Sequence, residues 1–295
     1  MPPRLSNLDS DIHLESIMKD LIIVRGGGDL ATGTIHKLHR MGFPVVVLEI
    51  PNPSAIRRYV AFSEAVYEGS MIIEGITCCF CGDVSSLQTA EEAVKNALEA
   101  GEIPLLVDPE GKMISHLKPW AVVDAIIAKK NMGTSRTMAP VTVALGPGFT
   151  AGEDVDIVIE TKRGHDLGRL IYEGQAVPNS GIPGIIGGYG RERVNHAETA
   201  GILYGVRKIS DLVEAGETIA VIRTTNPSGD VDYVEVKSKI KGVLRGLIRD
   251  GYPVTRGFKI ADVDPREAER KNCFTISDKA RCIAGGVAEA LMSAL

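Results

Sequence analysis

Val24-Arg25-Gly26-Gly27-Gly28-Asp29-Leu30-Ala31-Thr32-Gly33 follows directly on the apolar run Leu21-Ile22-Ile23-Val24 and leads into a helical pattern from Leu30 to Met41. A buried strand, a glycine turn and a helix start in that order satisfy G-x-G-x-x-[GA] at Gly26, Gly28 and Ala31. In such a turn the first glycine permits the bend, the second admits a phosphate to the backbone N–H groups, and the small third residue lets helix and strand pack. Glu49 closes the next apolar strand, Val45 to Glu49, where an acid would bind a ribose hydroxyl. Asp29 argues the other way, because a carboxylate at the helix start fills the same N–H groups and repels a pyrophosphate. Gly26, Gly27, Gly28, Asp29 and Glu49 are therefore the candidate cofactor-binding residues of a turn with two readings, nucleotide-binding or merely capped.

From that turn outward, residues 20–135 alternate short apolar strands with amphipathic helices. Strands are expected at Thr77–Phe80 and Pro104–Val107, and helices at Ser85–Ala100 and from about Pro119 to Lys130. The alternation predicts a Rossmann-like, doubly wound α/β domain. Asn131–Pro140 has the small, polar character of a linker, and beyond it short β runs are separated by glycine. Gly201–Ile222 superposes on Gly242–Val263 with a shift of 41 residues and no gap, each copy reading G-[IV]-L-x-G and then V-x-x-G-x-x-I-A. Two such hairpins resemble the halves of barrel-sandwich hybrids of the biotinyl/lipoyl type. The expected division is a tail over 1–19, the Rossmann-like domain over 20–135, a mainly β domain over 141–265, and a segment with a terminal helix over 266–295, in which Ser277 caps the helix.

Composition limits the function. Lys plus Arg number 33 and Asp plus Glu 38, a net charge of −5 that argues against nucleic-acid or anionic-membrane binding. No apolar run has the length of a membrane helix. The acidic N-terminal stretch reads as a tail rather than a signal peptide, and five cysteines suit reduced thiols in the cytoplasm. Cys78, Cys79 and Cys81 share one strand without a second pair at ligand spacing, so no metal site is expected.

A second cluster follows the run Val155–Ile159. In Glu160-Thr161-Lys162-Arg163-Gly164-His165-Asp166-Leu167-Gly168-Arg169 the forked donors of Arg163 and Arg169 suit an anion. His165, together with Glu160, is the candidate for acid–base work.

Seven stretches extend the reading: VRGGGDLATG (24–33), IRRYVAFSEAVYEG (56–69), VDAIIAKKN (123–131), LGPGFTAG (145–152), IETKRGHDLGR (159–169), GVLRGLIRDGYPVTRGFKIADVDPR (242–266) and SDKARCIAGGVAEA (277–290). Together they resemble the accessory proteins of selenium-dependent molybdenum hydroxylase systems over roughly residues 20–295. The first domain is more distantly similar to the Rossmann part of xanthine dehydrogenase accessory factors. The resemblance implies a maturation factor that holds a molybdopterin-type nucleotide cofactor between its two domains and serves a molybdenum hydroxylase apoprotein. Two alternatives stand beside it: an NAD(P)-dependent oxidoreductase using the same turn, and a non-catalytic partner-binding platform. A homo-oligomer is compatible with each.

Overall fold

The computed structural model describes residues 18–179, 181, 184–225 and 228–295, so all but the last two residues of the expected tail over 1–19 lie outside the described residues. The chain forms two compact units. Unit 1 takes residues up to Pro53, Phe62–Asn179 and Ser277–Leu295, and unit 2 takes Ser54–Ala61 and Ser180–Ile276.

Unit 1 is built on a nine-stranded sheet in the order β10-β9-β7-β6-β1-β2-β5-β4-β3. Its strands are β1 (Ile22–Arg25), β2 (Val45–Glu49), β3 (Ser70–Ile73), β4 (Ile76–Asp83), β5 (Ile103–Val107), β6 (Ala121–Asp124), β7 (Val141–Leu145), β9 (Ile157–Ile159) and β10 (Leu170–Ile171). The interior pairs are parallel, whereas β3 and β10 close the two edges antiparallel. Short β8 (Thr150–Ala151) and β11 (Gly174–Gln175) pair as a separate ribbon.

Among the described residues four helices of more than one turn accompany the sheet: α1 (Asp29–Arg40), α2 (Leu87–Glu99), α3 (Lys112–Leu117) and α4 (Asp278–Met292). In α1 the buried Ala31, Ile35 and Leu38 recur at helical spacing, and the helix stops at Met41 before Gly42, whose φ is +93°. In α4, Ser277 Oγ accepts the Ala280 N–H at 3.2 Å, and Ala280, Ile283, Ala284, Val287 and Leu291 form the buried stripe. One face of the sheet joins Leu21, Ile23, Val46, Leu48, Leu106 and Val122 to Ala90 and Val94 of α2 and Met113 and Ile114 of α3. Helix α1 packs on α4 and β2, and α4 also reaches β7 and β9.

Unit 2 is β. Strands β13 (Gly201–Gly205), β14 (Leu212–Val213) and β15 (Thr218–Thr225) form the first copy of the repeat, and β17 (Gly242–Leu247), β18 (Pro253–Val254) and β19 (Lys259–Asp264) the second. β12 (Val194–His196) and β16 (Val231–Lys237) complete two four-stranded sheets, β12-β19-β17-β14 and β16-β15-β13-β18. The copies share backbone detail, with Gly216 and Gly257 both at φ +83°. They also exchange strands, β18 pairing with β13 and β14 with β17. Leu203, Ile219, Ile222, Leu244, Ile260 and Val263 fill the core between them.

This architecture corrects the expected fold class. The molecule is a mixed sheet with several small sheets and few helices, not a Rossmann-like doubly wound domain followed by a barrel-sandwich-hybrid domain. The segment expected as a helix from Pro119 holds strand β6, whose four residues are all buried. The polar stretch expected as an inter-domain linker joins β6 to β7, two neighbours of one sheet, through a loop with a single 3-10 turn at Arg136–Met138. A strand buried on both faces reads as an apolar run whichever sheet it joins, so pattern alone assigned Val141–Leu145 to the wrong half. The repeat is divided between two sheets, each completed by an outside strand, rather than closing on itself. No helix among the described residues is long and apolar enough to cross a membrane.

Candidate functional site

The carboxyl ends of the parallel strands in unit 1 carry a row of buried or half-buried charges: Arg25 ends β1, Glu49 ends β2, Asp124 ends β6 and Glu160 follows β9. In open parallel sheets this edge, where neighbouring strands send their connections in opposite directions, is where ligands bind. Here β1 lies between β2 and β6, so the reversal falls at the glycine turn.

The turn is closed by the protein itself. Gly26 has φ +94°, and a Cβ there would lie 3.0 Å from the Ile126 backbone. The Gly27 N–H donates to Glu49 Oε2 at 2.8 Å, and the Gly27 carbonyl accepts the Ser63 N–H at 2.8 Å. Glu49 Oε1 accepts the Ile50 N–H at 2.8 Å, so both carboxylate oxygens serve backbone amides rather than facing a ribose. Desolvation raises the Glu49 carboxyl above the ordinary range, and those two amides only partly offset it.

Beside it, Arg25 Nη1 donates to Thr134 Oγ1 at 2.5 Å, and Thr134 Oγ1 donates to Asp124 Oδ2 at 2.6 Å. Arg25 Nη2 donates to the carbonyls of Pro109 and Met132 at 3.3 and 3.4 Å. This relay fastens the loop after β6 across the crevice. Burial pushes the Asp124 carboxyl up despite Arg25. Of the three glycines only Gly28, the extended N-cap of α1, faces open space. The Gly27 amide, one that a dinucleotide pyrophosphate would need, is thus taken by Glu49.

The loop after β9 is ordered by Glu160, whose Oε1 accepts the Lys162 N–H at 2.7 Å and Oε2 the Val177 N–H at 2.8 Å. Arg163 forms a two-pronged pair with Asp278 at 2.8 and 2.9 Å. Arg169 pairs with Asp166 at 2.9 Å on the surface, and His165 is exposed. Gly168 lies against α4, where a Cβ at Gly286 would collide with its carbonyl oxygen.

Three of the residues singled out from the sequence, Asp29, Glu160 and Arg163, act electrostatically on one lysine, Lys279, in the first turn of α4. Lys279 is half-buried, and its ammonium is held below the ordinary lysine range. Desolvation is the largest cause and Arg163 adds to it, while Asp29, Glu160 and Asp278 pull the other way. Helices α1 and α4 cross at Gly33 and Ala280, which brings Asp29, the first residue of α1, near Lys279. His165 and Arg169 stay on the exposed side of the loop, and Glu49 is tied to Gly27 instead. By residue type, Lys279 beside Asp278 suits an ordinary surface ion pair. The available signal was its place in a helix's first turn, where the macrodipole disfavours a cation.

Among the described residues no group of three or more His, Cys, Asp and Glu side chains gathers as a metal site. A cleft of about 500 Å³ in unit 1 is lined by Asp20, His39, Phe43, Pro44, Leu98 and Glu102, toward the opposite, amino ends of the strands.

No model of a known protein family matches the chain. The uncharacterized protein YqeB of Escherichia coli (strain K12) is 47% identical over 272 residues, which is 92% of this chain and 47% of that protein. The chain thus spans about half the length of that curated relative. Among solved structures, an aspartoacylase family protein from Mesorhizobium loti aligns at 12% identity and TM-score 0.29, over 83% of this chain and 84% of that one. A succinylglutamate desuccinylase/aspartoacylase from Rhodobacter sphaeroides aligns at 15% and 0.25, over 83% and 85%. The product-bound ectoine utilization protein EutE (DoeB) from Ruegeria pomeroyi aligns at 12% and 0.23, over 82% and 56%.

These findings correct the family expectation. None of these proteins is named as an accessory protein of a molybdenum hydroxylase; the names are those of aspartoacylase and desuccinylase proteins and of an uncharacterized one. The maturation role and the NAD(P)-dependent reaction fall with it.

Proposed function

We propose that unit 1 binds a small anionic molecule, bearing a carboxylate or a phosphate, where the N-termini of α1 and α4 converge on Lys279. The observation that carries the reading is the half-buried ammonium of Lys279, depressed although Asp29, Glu160 and Asp278 surround it. Glu160 and Asp278 are already engaged, by two backbone amides and by Arg163 respectively. The ammonium therefore has lost more hydration than the acids return, and an anion at this position restores what is missing. Unfilled space at Gly28 and the positive end of α1 complete the receptor. The protein acts in the cytoplasm, in keeping with five cysteines none of which is paired in this structure.

Calorimetry with inorganic phosphate and with succinate tests the reading. One of the two is expected to bind, and Lys279→Met to weaken it at least tenfold, about 1.4 kcal/mol. Equal affinity in the variant, or no heat from either anion, removes Lys279 from a binding role.

A further inference from the structure

Apart from this site, strand β4 carries Cys79 and Cys81 on the same side of its pleat with their sulfurs 3.8 Å apart. Both side chains are half-buried, whereas Cys78, on the opposite side of the pleat, is fully buried. The backbone beneath them is irregular. Phe80 pairs with Leu105 and Asp83 with Val107, so β4 carries one residue more than β5 across this step. Gly82 sits in that bulge at φ +95°. A bulge bends and twists its strand locally and re-aims the side chains it carries. The separation of alternate residues on a strand is near the upper limit for a disulfide, and such a bend is the freedom that closing one requires.

We propose that Cys79 and Cys81 are a redox-active dithiol that forms a reversible intrastrand disulfide by exchange with a low-molecular-weight disulfide. Either thiol can donate in this contact, and the interaction lowers the Cys81 pKa and raises that of Cys79, with Glu102 raising Cys79 further. Cys81 is accordingly the first nucleophile. Its thiolate attacks one sulfur of the reagent RS–SR, the S–S bond breaks, and RS⁻ leaves, giving a mixed disulfide on Cys81. Cys79 then loses its proton and attacks the Cys81 sulfur, expelling the second RS⁻. The two cysteines are oxidised by two electrons, the reagent is reduced to two thiols, and the protons released end on those thiols. Glu102, which acts on Cys79, also lines the 500 Å³ cleft in unit 1, and both thiols are themselves only half-buried.

Equilibrating the whole protein through a series of reduced and oxidised glutathione, quenching in acid, alkylating and mapping peptides tests the proposal on the wild-type chain. The fragment holding Cys78, Cys79 and Cys81 is expected to lose about 2 Da and two alkylatable thiols, with fragmentation placing the bond between Cys79 and Cys81. Cys78→Ser is expected to keep the mass loss, and Cys79→Ser and Cys81→Ser each to abolish it. Three alkylatable thiols throughout the series, a glutathione adduct that never resolves, or a bond that maps to Cys78 would overturn it.

Discussion

Gly33 of α1 lies so close to Ala280 of α4 that a Cβ at position 33 would stand 2.8 Å from the Ala280 Cβ and 2.9 Å from its carbonyl oxygen. Glycine in a helix interior ordinarily costs about 1 kcal/mol relative to alanine. Here the added methyl meets backbone that cannot move without displacing α4. Gly33→Ala is therefore expected to destabilise unit 1 by about 1–3 kcal/mol, the usual cost of overpacking. It should also weaken anion binding, because the crossing sets Lys279 beside Asp29. A denaturation midpoint equal to or above wild type would show that the helices separate freely.

The adjacent glycines of α4 are expected to respond with opposite signs. A Cβ at Gly285 meets nothing within 4 Å, whereas one at Gly286 collides with the Gly168 carbonyl oxygen. Gly285→Ala should stabilise by roughly 0.5–1 kcal/mol through helix propensity, and Gly286→Ala should destabilise. Paired urea titrations of the two variants measure this directly.

Much of the local structure was legible in the sequence. Strands β1 and β2, helix α1, the Ser277 cap and the 41-residue repeat follow from patterns of two to twelve residues. What failed was assignment at long range. Ala121–Asp124 is buried on every residue, its apolar start Ala121-Val122-Val123 suits a buried strand and a buried helix alike, and the β-branched Val122 and Val123 were the discriminating sign. Ser54–Ala61 belongs to unit 2, although its neighbours on both sides belong to unit 1, and composition does not register such an excursion. At the site, glycines suggested a phosphate cradle, yet Gly26 and Gly27 are glycine because Ile126 and Ser63 approach them. Lys279 lay 250 residues from Asp29 and required a helix crossing to matter.

Asp262 and Asp264 make the same point in unit 2. A surface reading suits their residue types, but Asp262 is buried and accepts Arg193 Nη2 at 2.9 Å and Arg245 Nε at 2.8 Å. Asp262→Asn takes the paired carboxylate from buried Arg193 and leaves Arg245 only Asp264, at 3.9 Å, and should cost about 3–5 kcal/mol. Arg266→Ala removes a side chain that is 46% exposed and pairs with Asp264, so it should cost under about 1 kcal/mol. Chemical denaturation with a probe confined to unit 2 compares them, and similar losses would contradict the contrast.

Glu49 predicts a pH dependence of opposite sign to the common acidic residue. Its folded pKa is raised, chiefly by desolvation. The folded state therefore holds a proton that the unfolded chain releases, and stability falls as pH rises from the ordinary glutamate range, about 4.3, through the raised value. Glu49→Gln abolishes that slope and exchanges one acceptor on Gly27 or Ile50 for a donor, a fixed loss of roughly 1 kcal/mol. The difference in stability between wild type and variant should thus be largest near pH 4 and shrink toward neutrality. A difference that stays constant or grows with pH would mean the carboxylate is charged and stabilising throughout.

Lys279 sets the pH range of binding. Desolvation lowers its folded pKa, so between that value and the ordinary lysine range, about 10.4, the folded protein binds fewer protons than the unfolded chain. In this interval the contribution of Lys279 to stability increases with pH, since the desolvated charge is relieved. Binding of an anion requires the ammonium and must change in the opposite direction, with affinity declining as pH rises through the depressed value. A bound anion draws that value upward, so association near it takes up a fraction of a proton. Calorimetry of phosphate or succinate in two buffers of different ionisation enthalpy measures the uptake. Wild type is expected to show it and Lys279→Met to show none; affinity independent of pH up to the ordinary lysine range would assign the anion to another group.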